Sequence, residues 1–300
     1  MPDPPPAPSP HAKALESGSS STPIRRVVVT GGSSGIGQAA AIAIASQASG
    51  AAGTDGNHDA DRRMVVSYRT NQAGALRTVE HIRSLGWLCE ALPLDLSLSQ
   101  SVGDFAAETG ESLGHIDTWV NNAGADVLTG DEAQWDFESK LRHLMDVDVI
   151  GTMSLSRIIA PQLVRWHREG TLPQPASMVF IGWDQAAAGM NGDPGMMFGP
   201  VKAAVTSFAL AMAQTHAPDL RVNVVAPGWI QTQWGASTEG YWDERATGQS
   251  LMGRWGRPHD VARAISYLSH PANSFVTGQV VEVNGGWNRR GWLPHPQDLS

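Results

Sequence analysis

The chain has 300 residues, 41% of them hydrophobic, and a formal net charge of −8. That suffices for one large core. The acidic balance and the lack of any basic run argue against a nucleic-acid partner, and no apolar stretch approaches the roughly 18–20 residues that would cross a bilayer. Cys89 is the single cysteine, which excludes an internal disulfide framework and fits a reducing cytoplasm. The ten histidines show no metal-ligand spacing, so no catalytic metal is expected.

Residues 1–23, "MPDPPPAPSPHAKALESGSSSTP", read as a disordered Pro/Ser-rich leader, without the basic and apolar regions of a signal peptide. From Ile24 the pattern alternates. "IRRVVVT" is a β-branched run suited to a strand buried on both faces, and the Ala-rich "GQAAAIAIASQA" is helix-like. A long Gly/Asp loop over residues 49–61 precedes the strand "RMVVSYR" and an amphipathic helix ending at Gly86. Then come a strand in "WLCEALPLDL", a helix in "SVGDFAAETGESLG" and a strand in "IDTWVNNAG". One long helix is expected from about Trp135 to Arg168. "ASMVFIG" is the fifth strand, and a helix follows with Pro200 near its first turn. "LRVNVVAPG", the helical "HDVARAISYLSH" and the strand "GQVVEVNGG" complete the series. Alternating strands and helices imply a doubly wound α/β fold, a Rossmann-type domain over 24–288 with a mostly parallel seven-stranded sheet and a tail at 289–300.

The first strand meets the first helix through Gly31, Gly35 and Gly37. Such glycines let the backbone turn sharply and approach a pyrophosphate, which the helix N-terminus then faces. The spacing TGxxxGxG (Thr30, Gly31, Gly35, Gly37) resembles the short-chain dehydrogenase/reductase family, and further motifs follow in order: "LPLDL", "NNAG", "APGWIQT", and a C-terminal signature in "GRWGRPHDVA" and "FVTGQVVEVNGG". The overall pattern is closest to the β-ketoacyl-carrier-protein reductase branch. The resemblance implies nicotinamide-dinucleotide contacts from Ser33, Ser34 and Ile36 in the Gly loop, from Asp95 and Leu96, from Asn122, Ala123 and Gly124, and from Pro227, Gly228, Ile230 and Thr232. It also implies a small-molecule substrate and a homodimer or homotetramer. At the end of the second strand the family's NAD-selecting acid is replaced by Tyr68, followed by Arg69 and Thr70. A guanidinium can pair with a 2′-phosphate, so NADP(H) is expected, although the Gly loop lacks a basic residue.

The family's carbonyl chemistry uses a serine, a tyrosine, a lysine and an asparagine. Only Lys202 is retained, with a role implied at the nicotinamide ribose. The tyrosine falls on Phe198, the serine on Trp183 and the asparagine on Asp148. None of the three tyrosines in the chain lies near Lys202, and the upstream position used by the family's enoyl reductases is Gly195. The usual tyrosine mechanism is therefore not expected, and the chain reads either as an oxidoreductase with another proton donor or as a silent cofactor-binding homologue. Asp184 is the leading substitute acid if it turns into the pocket, with Asp193, Asp148 and Tyr241 as alternatives. Trp183, Trp229, Trp234 and Trp242 suggest aromatic walls for a flat or conjugated substrate, or simply lid packing. Trp255 is assigned to the C-terminal signature, with no functional role.

Overall fold

A computed structural model describes residues 25–49, 62–232 and 240–288. The leader, most of the 49–61 loop, Trp234 and the 289–300 tail lie outside the described residues.

Seven strands form one sheet: β1 (Arg26–Val29), β2 (Arg63–Tyr68), β3 (Leu88–Pro93), β4 (Thr118–Asn121), β5 (Ala176–Ile181), β6 (Leu220–Pro227) and β7 (Val280–Val283). Their order is β3-β2-β1-β4-β5-β6-β7, and every neighbouring pair is parallel. Strands β1, β4 and β6 are buried along their whole length. This is the demand that continuous β-branched runs satisfy when helices cover both faces.

The helices are α1 (Gly35–Ser49), α2 (Gln72–Ser84), α3 (Ser99–Leu113), α4 (Phe137–Leu144), α5 (Thr152–Arg168), α6 (Asp193–His216), α7 (Tyr241–Gln249) and α8 (Pro258–Ser269). One apolar core joins α3, α5 and α6 to the sheet through Phe105, Trp119, Leu155, Ile159 and Phe180. The other joins α1, α2 and α8 through Val27, Ile44, Val66, Ile82 and Ile265. The chain reverses its direction of winding between β1 and β4, so their carboxyl ends open a crevice where ligands of such sheets bind.

Three expectations are corrected. The helix expected from Trp135 to Arg168 is divided: a 3-10 turn spans Asp131–Gln134, Trp135 is extended, and a π-helical turn at Met145–Gly151 separates α4 from α5. A π turn accommodates an extra residue in the helix and is common at functional sites. Helix α6 begins at Asp193 rather than Pro200, because Gly192 at φ +87° turns the chain and Pro194 pre-sets helical φ. Pro200 then lies inside the helix. Finally, Phe137–Arg168 and Asp193–His216 are long and apolar enough to cross a membrane by length and composition. Here both stretches supply side chains to the first core, so their apolar character serves the sheet.

Candidate active site

The loop after β1 is shaped by its glycines. Gly31 holds φ +67°, and a Cβ at Gly37 would run into the Gly31 carbonyl and the Asn122 amide. Only glycine at both positions lets α1 start this close to β4. Side chains then staple the turn. The Thr30 hydroxyl accepts from the backbone N–H groups of Asn122 (2.9 Å) and Ala123 (3.0 Å), and Asn122 Nδ2 donates to the Thr30 carbonyl. Gly31 N–H donates to Ser67 Oγ at 2.9 Å, tying the loop to β2.

Beyond the loop lies a cleft of about 450 Å³. Gly31, Ser33, Ser34, Gly35 and Ile36 form its floor at the start of α1. Tyr68, Arg69 and Thr70 close one end, while Asp95, Leu96, Asn122, Ala123 and Gly124 form the opposite wall, with Thr232 at the rim. Asp95 is held in place by accepting from Ser97 N–H and Oγ at 2.9 and 2.6 Å. Most residues that the resemblance implies for the cofactor line this cleft; others that line it, such as Ser67, Asn71, Ala125, Asp126 and Val147, were not expected. Gly37 lies beneath the floor and acts through the steric room it leaves.

A backbone cradle that excludes Cβ atoms, together with unpaired N–H groups at the start of α1, fits a dinucleotide pyrophosphate. At the end of the cleft closed by Tyr68, Arg69 and Thr70, Arg69 Nη2 lies 3.7 Å from Glu132 Oε1, and its Nη1 lies 3.5 Å from His143 Nε2. Glu132 comes from the 3-10 turn at Asp131–Gln134, a segment that carries no motif.

A second cleft, of about 340 Å³, adjoins the first and shares Ile36, Ile181 and Thr232 with it. Lys202, Pro227, Gly228 and Ile230 belong here, together with Trp183, Phe198, Trp229 and Trp242. Trp183 and Phe198 meet edge to face at 6.4 Å, so the two positions expected to hold hydroxyls form an apolar pair instead. Trp255, expected only as part of the C-terminal signature, also lines this cleft. The cause is tertiary. Gly256 N–H donates to the Trp229 carbonyl and Gln231 N–H to the Gly256 carbonyl, which draws Trp255 edge-on to Trp229 at 5.9 Å. Helix α7 adds Trp242, 5.8 Å from Trp229, and Arg245, whose guanidinium lies 5.7–5.9 Å from the Trp229, Tyr241 and Trp242 rings.

Phe198 and Lys202 stand one turn apart on α6 and so share a face. Lys202 Nζ pairs with Asp148 Oδ2 at 2.9 Å, and Asp148 Oδ1 accepts from Ala125 N–H at 2.7 Å. Asp148 is 3% exposed, so the π turn delivers a buried carboxylate directly to the retained lysine.

The other substitute acids lie elsewhere. Asp184 does not line the cleft, so the expectation that it turns into the pocket is corrected. Its backbone N–H donates to the Pro227 carbonyl, and Oδ2 accepts from Asn284 Nδ2 at 3.2 Å near the end of β7. Burial pushes the Asp184 carboxyl up to about 6, against the lowering effect of the Asn284 hydrogen bond. Asp193 is exposed at the start of α6, and Tyr241 is an exposed residue whose hydroxyl accepts from Arg245 Nη1. Among the described residues, no cluster of His, Cys, Asp and Glu could hold a metal ion.

Comparisons with known proteins agree with this geometry. A family model described as enoyl-(acyl carrier protein) reductase matches residues 31–288. The Arabidopsis thaliana short-chain dehydrogenase/reductase SDRA is 30% identical over 230 residues, covering 76% of this chain and 85% of that protein. The 3-oxoacyl-[acyl-carrier-protein] reductase of Thermotoga maritima is 26% identical over 265 residues, covering 86% and 96%. Among solved structures, a 7α-hydroxysteroid dehydrogenase complexed with NADH and 7-oxo glycochenodeoxycholic acid superimposes with a TM-score of 0.72 at 27% identity, covering 89% of this chain and 96% of that one. With its parallel sheet, its glycine cradle and a match over most of its length, the chain belongs to the short-chain dehydrogenase/reductase family, whose members are nicotinamide-dependent oxidoreductases.

Proposed function

We propose that the protein transfers hydride between NADP(H) and a flat, largely apolar substrate at a C=O, C=C or C=N bond, using a proton donor other than tyrosine. The observation that carries this reading is the junction of two unlike clefts: a polar one floored by glycine backbone, and an aromatic one lined by Trp183, Phe198, Trp229, Trp242 and Trp255. The bound nicotinamide supplies the hydride chemistry. The residues of the chain bind, orient and exclude water. Gly31, Gly35 and the start of α1 hold the pyrophosphate, while the Lys202–Asp148 pair faces the ribose and the reacting group. The aromatic walls offer stacking surface and few donors, which suits a rigid apolar skeleton better than a sugar or a short hydroxy acid. The solved relative bound to a 7-oxo bile-acid conjugate accepts a ligand of this general kind.

Arg69 supports NADP(H) over NAD(H), with its weak contact to Glu132 giving way to a 2′-phosphate. We place the protein in the cytoplasm as a homodimer or homotetramer. Support for assembly comes from the exposed Met145, Ile150 and Ile158 along the π turn and α5, and from Val280 on edge strand β7.

The testing experiment is a fluorescence titration with NADPH and NADH, followed by a screen of aromatic ketones, quinones, enones and imines for NADPH oxidation. The expected result is tighter NADPH binding and turnover of at least one planar class. A second reading, a silent NADP(H)-binding homologue, is favoured by the apolar Trp183–Phe198 pair. It would be supported by tight NADPH binding with no turnover on any class.

A further inference from the structure

Among the described residues lining the apolar cleft, Lys202 alone carries an ionisable side chain. The indole N–H groups of Trp229 and Trp255 are committed to Gln249 Oε1 (2.8 Å) and Asp243 Oδ1 (2.7 Å). Phe198 has no hydroxyl, and Asp184 lies outside the cleft. The Thr232 hydroxyl and the Trp183 and Trp242 indoles are far weaker acids than an ammonium, so a substrate oxygen that gains charge here finds its proton at Lys202 or at water beside it.

We infer that Lys202 has taken over the role of proton donor, with Asp148 as the positioning residue that anchors its ammonium and aims it into the cleft. This rests on the hydride-transfer reading above. The truncation from phenol to phenyl at Phe198 leaves the Lys202 ammonium as the first acid along that face of α6. A lysine ammonium and a tyrosine phenol are acids of similar strength, with ordinary pKa values of about 10.4 and about 10. Either type of group is a far stronger acid than an alcohol, so proton transfer to an alkoxide runs downhill from both. In reduction of a carbonyl, the carbon accepts hydride and the C–O π pair moves to oxygen. Oxygen takes one ammonium proton from Lys202, directly or through one water. The two electrons come from the reduced nicotinamide, which is oxidised in the step, and the neutral amine is reprotonated from solvent. Among the described residues, Asp148 is the charged group within ion-pair distance of Lys202, and the cleft side presents only uncharged groups such as Phe198, Trp183 and Thr232.

The test uses the full chain, NADPH and 9,10-phenanthrenequinone as the planar probe. At saturating NADPH, Lys202→Arg should reduce the quinone about 10²–10⁴-fold more slowly than wild type, since a guanidinium holds its proton. Lys202→Ala should be rescued by ethylammonium and not by tetramethylammonium, which has charge without a proton. A readout independent of turnover is acylation of Lys202 by acetic anhydride in cofactor-free protein, followed by mass spectrometry. At a fixed pH this labelling should be faster in Asp148→Asn, where the amine is no longer held by a carboxylate at 2.9 Å. Rescue by tetramethylammonium, turnover by Lys202→Arg within threefold of wild type, or an unchanged labelling rate in Asp148→Asn would overturn the inference while leaving hydride transfer intact. Absence of wild-type turnover on the quinone and on every other class screened would overturn both.

Discussion

The two clefts meet at Ile36, Ile181 and Thr232, yet they are built from different materials. The nucleotide cleft is largely backbone, with glycines, a helix terminus and carbonyls stapled by Thr30 and Asn122. The aromatic cleft is almost entirely side chain, drawn from β5, α6, the loop after β6, α7 and the turn before α8. A backbone site tolerates little change, because a single Cβ fills it. A side-chain site can be rebuilt residue by residue while the fold stays put. On the proposed reading, that contrast would let the cleft floored by the glycine loop keep its form while positions such as Trp183, Phe198 and Asp148 change.

The largest expected effect breaks the first half. Gly37→Val would drive a branched side chain into the Gly31 carbonyl and should weaken NADPH binding by about 100-fold or more; titration beside circular dichroism separates lost binding from lost folding. If affinity survives, the backbone cradle is not the nucleotide site. The next addresses the second half. Trp183→Ser with Phe198→Tyr should raise aromatic ketone reduction by about 10²–10⁴-fold without altering NADPH affinity, read from kcat and Kd on the same preparations. No gain would mean that the departure from family chemistry extends beyond those two positions.

A smaller effect lies at the seam between β5 and β7. Asp184 has a carboxyl pKa raised by burial from 3.8 to about 6. Its contribution to stability is therefore fully present below pH 4 and lost as pH rises through about 6. Asp184→Asn should leave stability unchanged at pH 4 and raise it by about 2–3 kcal/mol at pH 8, measured by urea unfolding at both. Equal effects at the two pH values would remove the titration argument. The smallest effect is at the adenosine end. Glu132→Gln frees Arg69 from its 3.7 Å partner and should tighten NADPH about two- to fivefold while leaving NADH unchanged. An equal change for both cofactors would detach Arg69 from the 2′-phosphate.

The sequence alone determined the alternation of seven strands with helices, the glycine loop and the absence of any tyrosine near Lys202. These are local signals, since periodicity and spacing act over a few residues. Tertiary structure decided what lies beside what. The nearness of Asp148 to Lys202 follows from the family resemblance, and the fold delivers it through a π turn; tertiary structure alone put Trp255 in the cleft, turned Asp184 toward Asn284 and set Glu132 against Arg69. No spacing rule anticipates these, because each contact joins segments far apart in the chain whose approach is set by packing across the sheet.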